Sequence, residues 1–269
     1  MSISGLAEAY RTLDQFIIDK QRLSAVLDLP SIENSAAAQA PPSFNQLSLR
    51  SQPGMGEELV SFNNQESVAI VGVSGAGKTT LLETLAGTVK NRRTDLFVDG
   101  APLHQDFLWH YLHSIRYCPQ SPQFLEGNFQ HSVLFGRENN LDLHVPIKKM
   151  GLSEITKYRF ITEGAKNISG GEAKRLSLLR LVNRPGRFNL FDEPTSFLDK
   201  ETANRVWNLL FSTFHEKGLI CVTHDVQALA NFDRVIVINE GRVLAVGPWS
   251  ELKNRIVLRE TLEQMNAAP

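Results

Sequence analysis

Short apolar runs recur along the chain from residue 44 onward and alternate with longer segments of mixed polarity. Runs of this kind that are rich in Val, Ile, Leu and Phe and end at turn-forming residues predict β-strands. Helical segments lie between several of these runs, and a turn at 239–241 makes the last two a hairpin. Strands that alternate with helices predict an α/β fold with a mainly parallel sheet and an antiparallel β edge. The predicted strands are 44–50, 68–71, 95–98, 115–118, 188–192, 219–223, 235–238 and 242–246.

The rest of the pattern divides the chain into segments around this core. Apolar residues at helical spacing predict an amphipathic helix before Pro30, and a small, polar, Pro-containing stretch after it predicts a linker. No convincing strand follows residue 121 for a long stretch, which predicts a helical subdomain inserted in the α/β domain. The predicted segments are the N-terminal helix (1–30, periodic over 3–28), the linker (31–43), the α/β domain (44–257) with its helical subdomain (about 121–180), and a C-terminal tail helix (258–269).

The amino-acid composition limits the kinds of binding partner that the protein is expected to have. Hydrophobic residues make up 42% and charged residues 21% of the 269 residues, as in soluble globular proteins, and the net charge is −1. This charge gives no electrostatic case for binding nucleic acid or an anionic membrane. The apolar runs fall far short of the roughly 20 residues that span a bilayer. If the protein serves a membrane, we expect another polypeptide or a further part of this one to provide the span. Cys118 and Cys221 lie in apolar runs, which predicts buried, reduced thiols.

The stretch VGVSGAGKTT at 71–80 follows a predicted strand and opens a predicted helix. Glycines let the backbone approach a ligand closely, and a helix N-terminus offers unpaired N–H groups and a positive dipole end. The spacing of Gly72, Gly77, Lys78 and Thr79 fits a P-loop, in which the lysine reaches the β- and γ-phosphates and the threonine hydroxyl binds Mg²⁺. The alternative is an ordinary glycine-rich turn. The strand–loop–helix context favours nucleotide binding.

The run FNLFDE at 188–193 is a mostly apolar strand that ends in two carboxylates, Asp192 and Glu193. A strand end of this kind can hold one carboxylate near Mg²⁺ and the other near an attacking water, as phosphoryl transfer requires. Acidic pairs are also common where strands meet loops. By itself the motif is weak evidence for a phosphoryl-transfer site, and it becomes strong evidence together with the P-loop.

Five further segments resemble one family in their order along the chain. ISGGE at 168–172 resembles the signature motif of ABC-type ATPases, and it lies just before the acidic strand, as in that family. Gln120 resembles the Q-loop glutamine, 196–199 the D-loop and 222–225 the segment of the switch histidine, while 241–252 is similar to the family's C-terminal strand and helix. The resemblance covers about residues 44–253. The chain is therefore identified as similar to the nucleotide-binding domain of an ABC transporter, with a P-loop NTPase core.

The resemblance implies roles for single residues in a head-to-tail dimer, homo- or heterodimeric, with two ATP molecules at its interface. Phosphate is expected to satisfy two facing helix N-termini that are otherwise unpaired. The implied catalytic residues are Glu193, which orients or deprotonates water, His224 on the γ-phosphate, Gln120 and Lys78. The implied Mg²⁺ ligands are Thr79, Gln120 and Asp192. The implied ATP-binding residues are Gly72, Ser74, Gly75, Ala76, Gly77, Lys78, Thr79 and Thr80, and, for the opposite subunit's ATP, Ser169, Gly170, Gly171 and the D-loop residue Asp199.

Within the family, the segments 124–127 and 133–136 resemble the exporter version of the region after the Q-loop. Residues 22–28 look like the continuation of an exporter's last transmembrane helix, although an unrelated helix packed on the domain would give the same pattern. The expected function is ATP hydrolysis that powers export, with a transmembrane domain as partner. The resemblance places such a domain at the cytoplasmic face of a membrane, which is the inner membrane in a bacterium.

Three other functions compete with export. The ATPase subunit of an importer with a separate permease explains the absence of a membrane span but not the exporter-like segments. A soluble ABC ATPase acting on DNA or ribosomes usually has long coiled coils, two such domains or a basic surface, which this sequence lacks. An unrelated P-loop kinase does not account for the signature motif. The transported substrate cannot be predicted, because its contacts belong to the membrane domain.

One departure from the family concerns the base of the nucleotide. Exporter domains usually place an aromatic residue upstream of the P-loop to stack on adenine, and the alignment puts Ser51 at that position. Neighbouring Arg50 is the candidate to compensate by laying its guanidinium on the base. Because the phosphate loop is unchanged, the sequence predicts modest ATP affinity and weak discrimination against GTP.

Overall fold

A computed structural model describes residues 43–51, 58–89, 94–135, 143–158, 160–162 and 165–254. The helix predicted over 3–28, all of the linker except Ser43, and the tail predicted over 258–269 lie outside these residues and stay predictions. Gly136, the last residue of the exporter-like segment, lies outside them as well.

A six-stranded sheet forms the centre of the domain, in the order β10-β9-β3-β8-β7-β6. Four of its five strand pairs are parallel, and the fifth, β10 with β9 at one edge, is antiparallel. The strands predicted here are confirmed, with small shifts at their ends. The strands of this sheet are β3 (Ser67–Val71), β6 (Ile115–Cys118), β7 (Phe188–Asp192), β8 (Gly218–Val222), β9 (Arg234–Asn239) and β10 (Arg242–Gly247).

The central strands are apolar along their whole length because both faces of the sheet are covered. Every residue of β7 and β8 is buried, as expected for parallel strands with helices on both sides. Successive side chains of β3 point to opposite faces. Accordingly, Ala69 and Val71 belong to one apolar cluster, whereas Val68 and Ile70 belong to the other.

A second, antiparallel sheet supplies the β edge, with the strand order β2-β1-β4-β5. Its buried residues Leu47, Leu49 and Phe62 join the same cluster as Val68 and Ile70, so this sheet packs on that face of the main sheet. The sequence predicted β1 and β4 but did not delimit β2, and it missed the two-residue β5. The strands are β1 (Gln46–Ser51), β2 (Glu58–Asn63), β4 (Thr94–Val98) and β5 (Ala101–Pro102).

Helices cover the two faces of the main sheet and fill the region between β6 and β7. Within 121–180 the described residues form helices and one isolated bridge, between Gly127 and Ile161. A separate helical subdomain with these limits stays a prediction. Among the described residues, no helix has the length and apolar character needed to cross a bilayer. The helices are α1 (Lys78–Ala86), α2 (Gln105–Ser114), α3 (Phe129–Ser132), α4 (His144–Lys149), α5 (Ser153–Tyr158), α6 (Gly170–Asn183), α7 (Lys200–Phe214) and α8 (Trp249–Leu252).

Candidate active site

The carboxyl ends of four neighbouring parallel strands determine where the site forms. β3, β6, β7 and β8 end at Val71, Cys118, Asp192 and Val222, and all four ends lie along one edge of the sheet. The loops that leave this edge carry the phosphate loop, Gln120, Glu193 and His224. Ligands of open α/β sheets bind in the crevice outside these ends. The topology therefore brings together motifs that are far apart in the sequence.

The glycines of the phosphate loop have two different physical tasks. Gly75 and Gly77 have φ angles of 79° and 95°, in the left-handed region that glycine adopts at no steric cost. Gly72 is needed for space, since a Cβ there would lie 2.2 Å from the backbone oxygen of Ile238. Gly77 occupies the capping position before α1, and it has no side chain that could accept a hydrogen bond from the first N–H groups of the helix. The loop thus curls in front of a helix end whose first N–H groups have no side-chain partner from the capping residue, as a phosphate cradle requires.

The remaining loop residues present one side to solvent and anchor the other. Ser74 and Thr80 are exposed, whereas Ala76 is buried. The carbonyl of Ala76 accepts a hydrogen bond of 2.9 Å from the backbone N–H of Gly241, in the turn between β9 and β10. The loop is therefore held against the rest of the domain from behind.

Lys78 is buried at the start of α1 and closes the phosphate loop on itself. Its Nζ donates hydrogen bonds of 2.8 Å to the carbonyls of Gly72 and Val73. Burial lowers the pKa of Lys78, an effect opposed by the nearby carboxylates of Glu193 and Asp192. The ammonium is bound to the loop and lies within electrostatic range of these carboxylates, as suits a group that neutralises phosphate oxygens.

Thr79 and Asp192 form a pair of hard oxygen donors beside the loop. The Thr79 hydroxyl donates a 2.8 Å hydrogen bond to Oδ2 of Asp192, which is 1% exposed. Burial raises the pKa of Asp192, while the hydrogen bond from Thr79 lowers it. A hydroxyl and a carboxylate next to a phosphate cradle are the ligand types that Mg²⁺ takes in nucleotide sites. These two residues therefore fit the metal that the sequence implied.

Glu193 is held between two side chains from different loops. Its Oε1 lies 3.1 Å from His224 Nε2, and its Oε2 accepts a 3.1 Å hydrogen bond from Gln120 Nε2. The hydrogen bond from His224 is the main reason why the pKa of Glu193 lies below its usual value. The Glu193 backbone has a φ of 49°, uncommon for a residue other than glycine. The carboxylate is thus kept ionised and oriented at the end of β7.

The predicted signature residues begin a different helix. Ser169 caps α6 in a full capping box: its hydroxyl accepts from the N–H of Glu172, whose side chain accepts from the N–H of Ser169. This helix end was predicted to be unpaired, and the capping box shows the prediction to be wrong for the N–H of Glu172. Ser169 and Gly170 are exposed and remain accessible to a ligand or partner. Their predicted contact with the ATP of another subunit stays a prediction.

The D-loop touches the signature motif within the same chain. A Cβ on Gly171 would lie 3.1 Å from the backbone oxygen of Phe197 and 3.2 Å from Cδ2 of Leu198. Phe197 itself is 79% exposed. Asp199, predicted to bind nucleotide, caps α7 by accepting from the N–H of Thr202, 3.0 Å away. Its observed contact is therefore that of a helix cap, and its role toward ATP remains a prediction.

Two cationic residues of α6 have contacts near the site that were not predicted from the sequence. Lys174 is 1% exposed, and its Nζ donates to three backbone carbonyls at the carboxyl ends of β6 and β7. Arg180 binds the carbonyls of the exporter-like region and lies over two phenylalanine rings there. The available signal was the position of each cation among leucines on a helix that must bury one face. Only the fold shows what the charges bind.

The chain is similar in sequence to known proteins of one family. Residues 59–196 match the family described as ABC transporter. The chain is 29% identical over 204 residues to the glutathione/L-cysteine transport system ATP-binding/permease protein CydD of Haemophilus influenzae, which covers 74% of this chain but only 35% of CydD. It is 32% identical over 205 residues to the energy-coupling factor transporter ATP-binding protein EcfA1 of Thermotoga maritima, which covers 72% of this chain and 76% of EcfA1.

The fold has a counterpart among solved structures. A bacterial Atm1-family ABC exporter with ATP bound superposes with a TM-score of 0.75 at 21% identity, covering 98% of this chain and 50% of the exporter chain. The α/β fold class predicted from the strand pattern is thereby confirmed. The family match takes in both the phosphate loop and the strand end with Asp192 and Glu193. This chain therefore belongs to the ABC transporter family and is one of its ATP-hydrolysing domains.

Proposed function

We propose that this domain powers the export of a substrate across a membrane by ATP-driven dimerisation. The observation that supports the chemistry best is the position of Glu193, one residue beyond the Thr79–Asp192 pair and fixed by Gln120 and His224. A carboxylate held at this place is suited to act on a water molecule that attacks the γ-phosphate.

In this mechanism each residue acts on a defined atom. Lys78 neutralises β- and γ-phosphate oxygens, exchanging its contacts with the carbonyls of Gly72 and Val73 for them. Thr79 and Asp192, with Gln120 as the third predicted ligand, would hold Mg²⁺, which would supply charge neutralisation at the phosphates. Glu193 orients the water and takes its proton as the water oxygen bonds to the γ-phosphorus and the bond to the ADP oxygen breaks. His224 contacts the γ-phosphate and keeps Glu193 in place.

The proposed dimer places the exposed signature residues Ser169 and Gly170 of one subunit over the ATP of the other. ATP then holds the two domains together, and loss of the γ-phosphate releases them, as in other switches biased by this group. The second domain is an identical or a related chain. A transmembrane domain receives the motion at the cytoplasmic face of the membrane.

The exporter assignment rests on the segment after Gln120. Leu125 and Phe135 in this segment are 49% and 50% exposed, so they offer apolar surface to a partner. The guanidinium of Arg180 lies 4.6 Å from the ring centroid of Phe124 and 4.5 Å from that of Phe135. It also donates to the carbonyls of Gln123, Ser132 and Val133. A segment fixed to α6 in this way can transmit movement between the site and a docked membrane domain.

The second candidate is an ATPase subunit that works with a separate permease, as in an importer. The match to EcfA1 favours it, because that ATP-binding protein is little longer than the region it shares with this chain. The reading frame upstream of Met1 distinguishes the two. Transmembrane helices encoded in the same frame support the exporter, and a permease gene separate from the ATPase gene supports the second candidate.

The change Glu193→Gln tests the chemical assignment. We expect the rate of ATP hydrolysis to fall at least about a hundredfold, to a residual rate that single-turnover assays still measure, while ATP binding stays within about threefold of wild type, because the neutral amide cannot take a proton but leaves the phosphate loop intact. Phosphate release and binding of a fluorescent ATP analogue measure the two effects. Glu216→Gln, at a side chain 76% exposed, is the matched control and should hydrolyse normally. Equal turnover in Glu193→Gln and wild type would contradict the assignment.

A further inference from the structure

Lys174 is a lysine whose ammonium is fully engaged inside the protein. It is 1% exposed, and its Nζ donates to the carbonyls of Pro119 at 3.0 Å, Gln120 at 3.1 Å and Asp192 at 2.7 Å. An ammonium has three N–H donors, so these bonds use all of them. The charge therefore acts through backbone oxygens and forms none of these bonds with a carboxylate.

Burying this charge is costly, and the cost indicates a specific purpose. Lysine is almost never fully buried, since water is lost from the ammonium. Burial lowers the pKa of Lys174, while electrostatic interactions with Cys118, Asp192 and Glu193 oppose that shift. An apolar side chain would avoid the desolvation but would leave three strand-end carbonyls without this donor. The three N–H donors of the lysine thus match the three carbonyl acceptors.

The three carbonyls belong to the backbone that carries the reacting carboxylate. β6 and β7 are parallel neighbours, with Cys118 opposite Phe191. Pro119 and Gln120 follow the end of β6, and Asp192 is the last residue of β7, directly before Glu193. The side chains of Gln120 and Glu193 are hydrogen-bonded to each other at 3.1 Å. Lys174 therefore fixes, from behind, the two backbone segments whose side chains meet in the site.

We propose that Lys174 is a positioning residue that couples helix α6 to the Gln120–Glu193 contact. Lys174 lies in the second turn of α6, shortly after the exposed cap residue Ser169. A displacement of the start of α6 moves the ammonium and, with it, the strand-end carbonyls beneath Gln120 and Glu193. This inference rests on the proposed role of Glu193 and adds that its alignment depends on α6.

The test compares Lys174→Met with wild type in ATP hydrolysis and nucleotide binding. The methionine retains the length of the side chain and removes the three donors. We expect kcat to fall at least about tenfold and KM for ATP to stay within about threefold, because the phosphate loop is not touched. Lys174→Gln, with two N–H donors, should give an intermediate kcat, and it carries the test if Lys174→Met does not fold.

Leu179→Ala is the control for a purely structural effect. Leu179 is fully buried on the same helix, so its truncation destabilises the domain without removing a donor to the strand ends. A kcat loss in Lys174→Met that equals the loss in Leu179→Ala at a matched fall in melting temperature would overturn the proposal.

Introducing Lys174→Met into the Glu193→Gln variant distinguishes the proposed role of Lys174 from the proposed role of Glu193. If Lys174 acts by aligning Glu193, then in single-turnover hydrolysis Lys174→Met should change the rate of Glu193→Gln by less than about threefold. An equal loss in both backgrounds would show that Lys174 acts elsewhere. Normal turnover in Glu193→Gln alone would instead overturn the role of Glu193.

Discussion

At the residue scale, the glycines of the phosphate loop are required for two different reasons, backbone angle and space. Gly75 and Gly77 are required by their backbone angles, whereas Gly72 is required by the carbonyl of Ile238. A sequence motif records the glycines without distinguishing these reasons. The distinction matters because a clash lowers stability, while a lost left-handed angle alters the shape of the cradle.

Gly72→Ala should lower the free energy of unfolding by about 1–3 kcal/mol, because the new Cβ must push the backbone of β9 away. Gly170→Ala is the matched control, since a Cβ at Gly170 meets nothing within 4 Å. We expect the control to stay within about 0.5 kcal/mol of wild type. Urea denaturation measures both, and equal stability of Gly72→Ala and Gly170→Ala would contradict the packing argument.

The base of the nucleotide is a second question at this scale. The guanidinium of Arg50 lies 4.3 Å from the ring centroid of Phe97, so it is already part of a stack. We still expect ATP and GTP to bind within a few-fold of each other, and Ser51→Tyr to tighten ATP binding by about tenfold through base stacking. Competition between the two nucleotides measures this. Tight binding of ATP with rejection of GTP, and no effect of Ser51→Tyr, would show that another residue holds the adenine.

At the scale of elements, the two helices that begin near the proposed nucleotide interface start differently. α1 begins after Gly77, without a side-chain cap, whereas α6 begins with the capping box of Ser169 and Glu172. The first helix end is thus prepared for a ligand. The N-terminus of α6 is stabilised by its own cap, so only some of its N–H groups are free to bind a ligand.

Ser169→Ala should lower the free energy of unfolding by about 1 kcal/mol through loss of the cap. It should also weaken ATP-dependent dimerisation, whereas Ser169→Thr keeps the hydroxyl and should lose little of either. Asn128→Ala removes a comparable cap, the one that accepts from the N–H of His131 before α3, and should leave dimerisation unchanged. Thermal unfolding and light scattering measure the two effects. Normal dimerisation of Ser169→Ala would mean that the serine only caps the helix.

At the scale of the whole molecule, the surface that carries the site is mainly polar. The exposed residues of the phosphate loop and the signature motif are small and hydrophilic, and the exposed aromatic side chain beside them is Phe197. A surface of this kind gives little hydrophobic driving force for association without a ligand. In the proposed dimer, we therefore expect charge on the nucleotide to be the main source of attraction between the two domains.

The wild-type domain should accordingly be monomeric without nucleotide, and Glu193→Gln should dimerise with Mg²⁺ and ATP because the ligand is not consumed. Light scattering on a size-exclusion column measures the mass of each form. Glu193→Gln combined with Lys78→Ala is the control and should remain monomeric, since the charge that holds the phosphates is gone. A dimer without nucleotide, or a monomer of Glu193→Gln with ATP, would contradict the proposed interface.

The sequence by itself determined the features that depend on near neighbours along the chain. The strands of the main sheet follow from short apolar runs, and the phosphate loop follows from glycine spacing between a strand and a helix. Short or half-buried strands were not delimited in this way: β2 mixes polar and apolar residues without strict alternation, and β5 has two residues. In both, pairing with β1 or β4 supplies what the local pattern lacks.

Only the tertiary structure decided which distant side chains meet. Glu193 lies between Gln120 and His224 because β6, β7 and β8 are adjacent and parallel, so their loops leave one edge together. The contacts of Lys174 could not be predicted from the sequence either, because its partners are backbone carbonyls. Every residue has such a carbonyl, and no sequence pattern marks the three that bind the lysine. Local periodicity specifies elements, whereas the order of strands in the sheet specifies contacts between them, and the active site consists of such contacts.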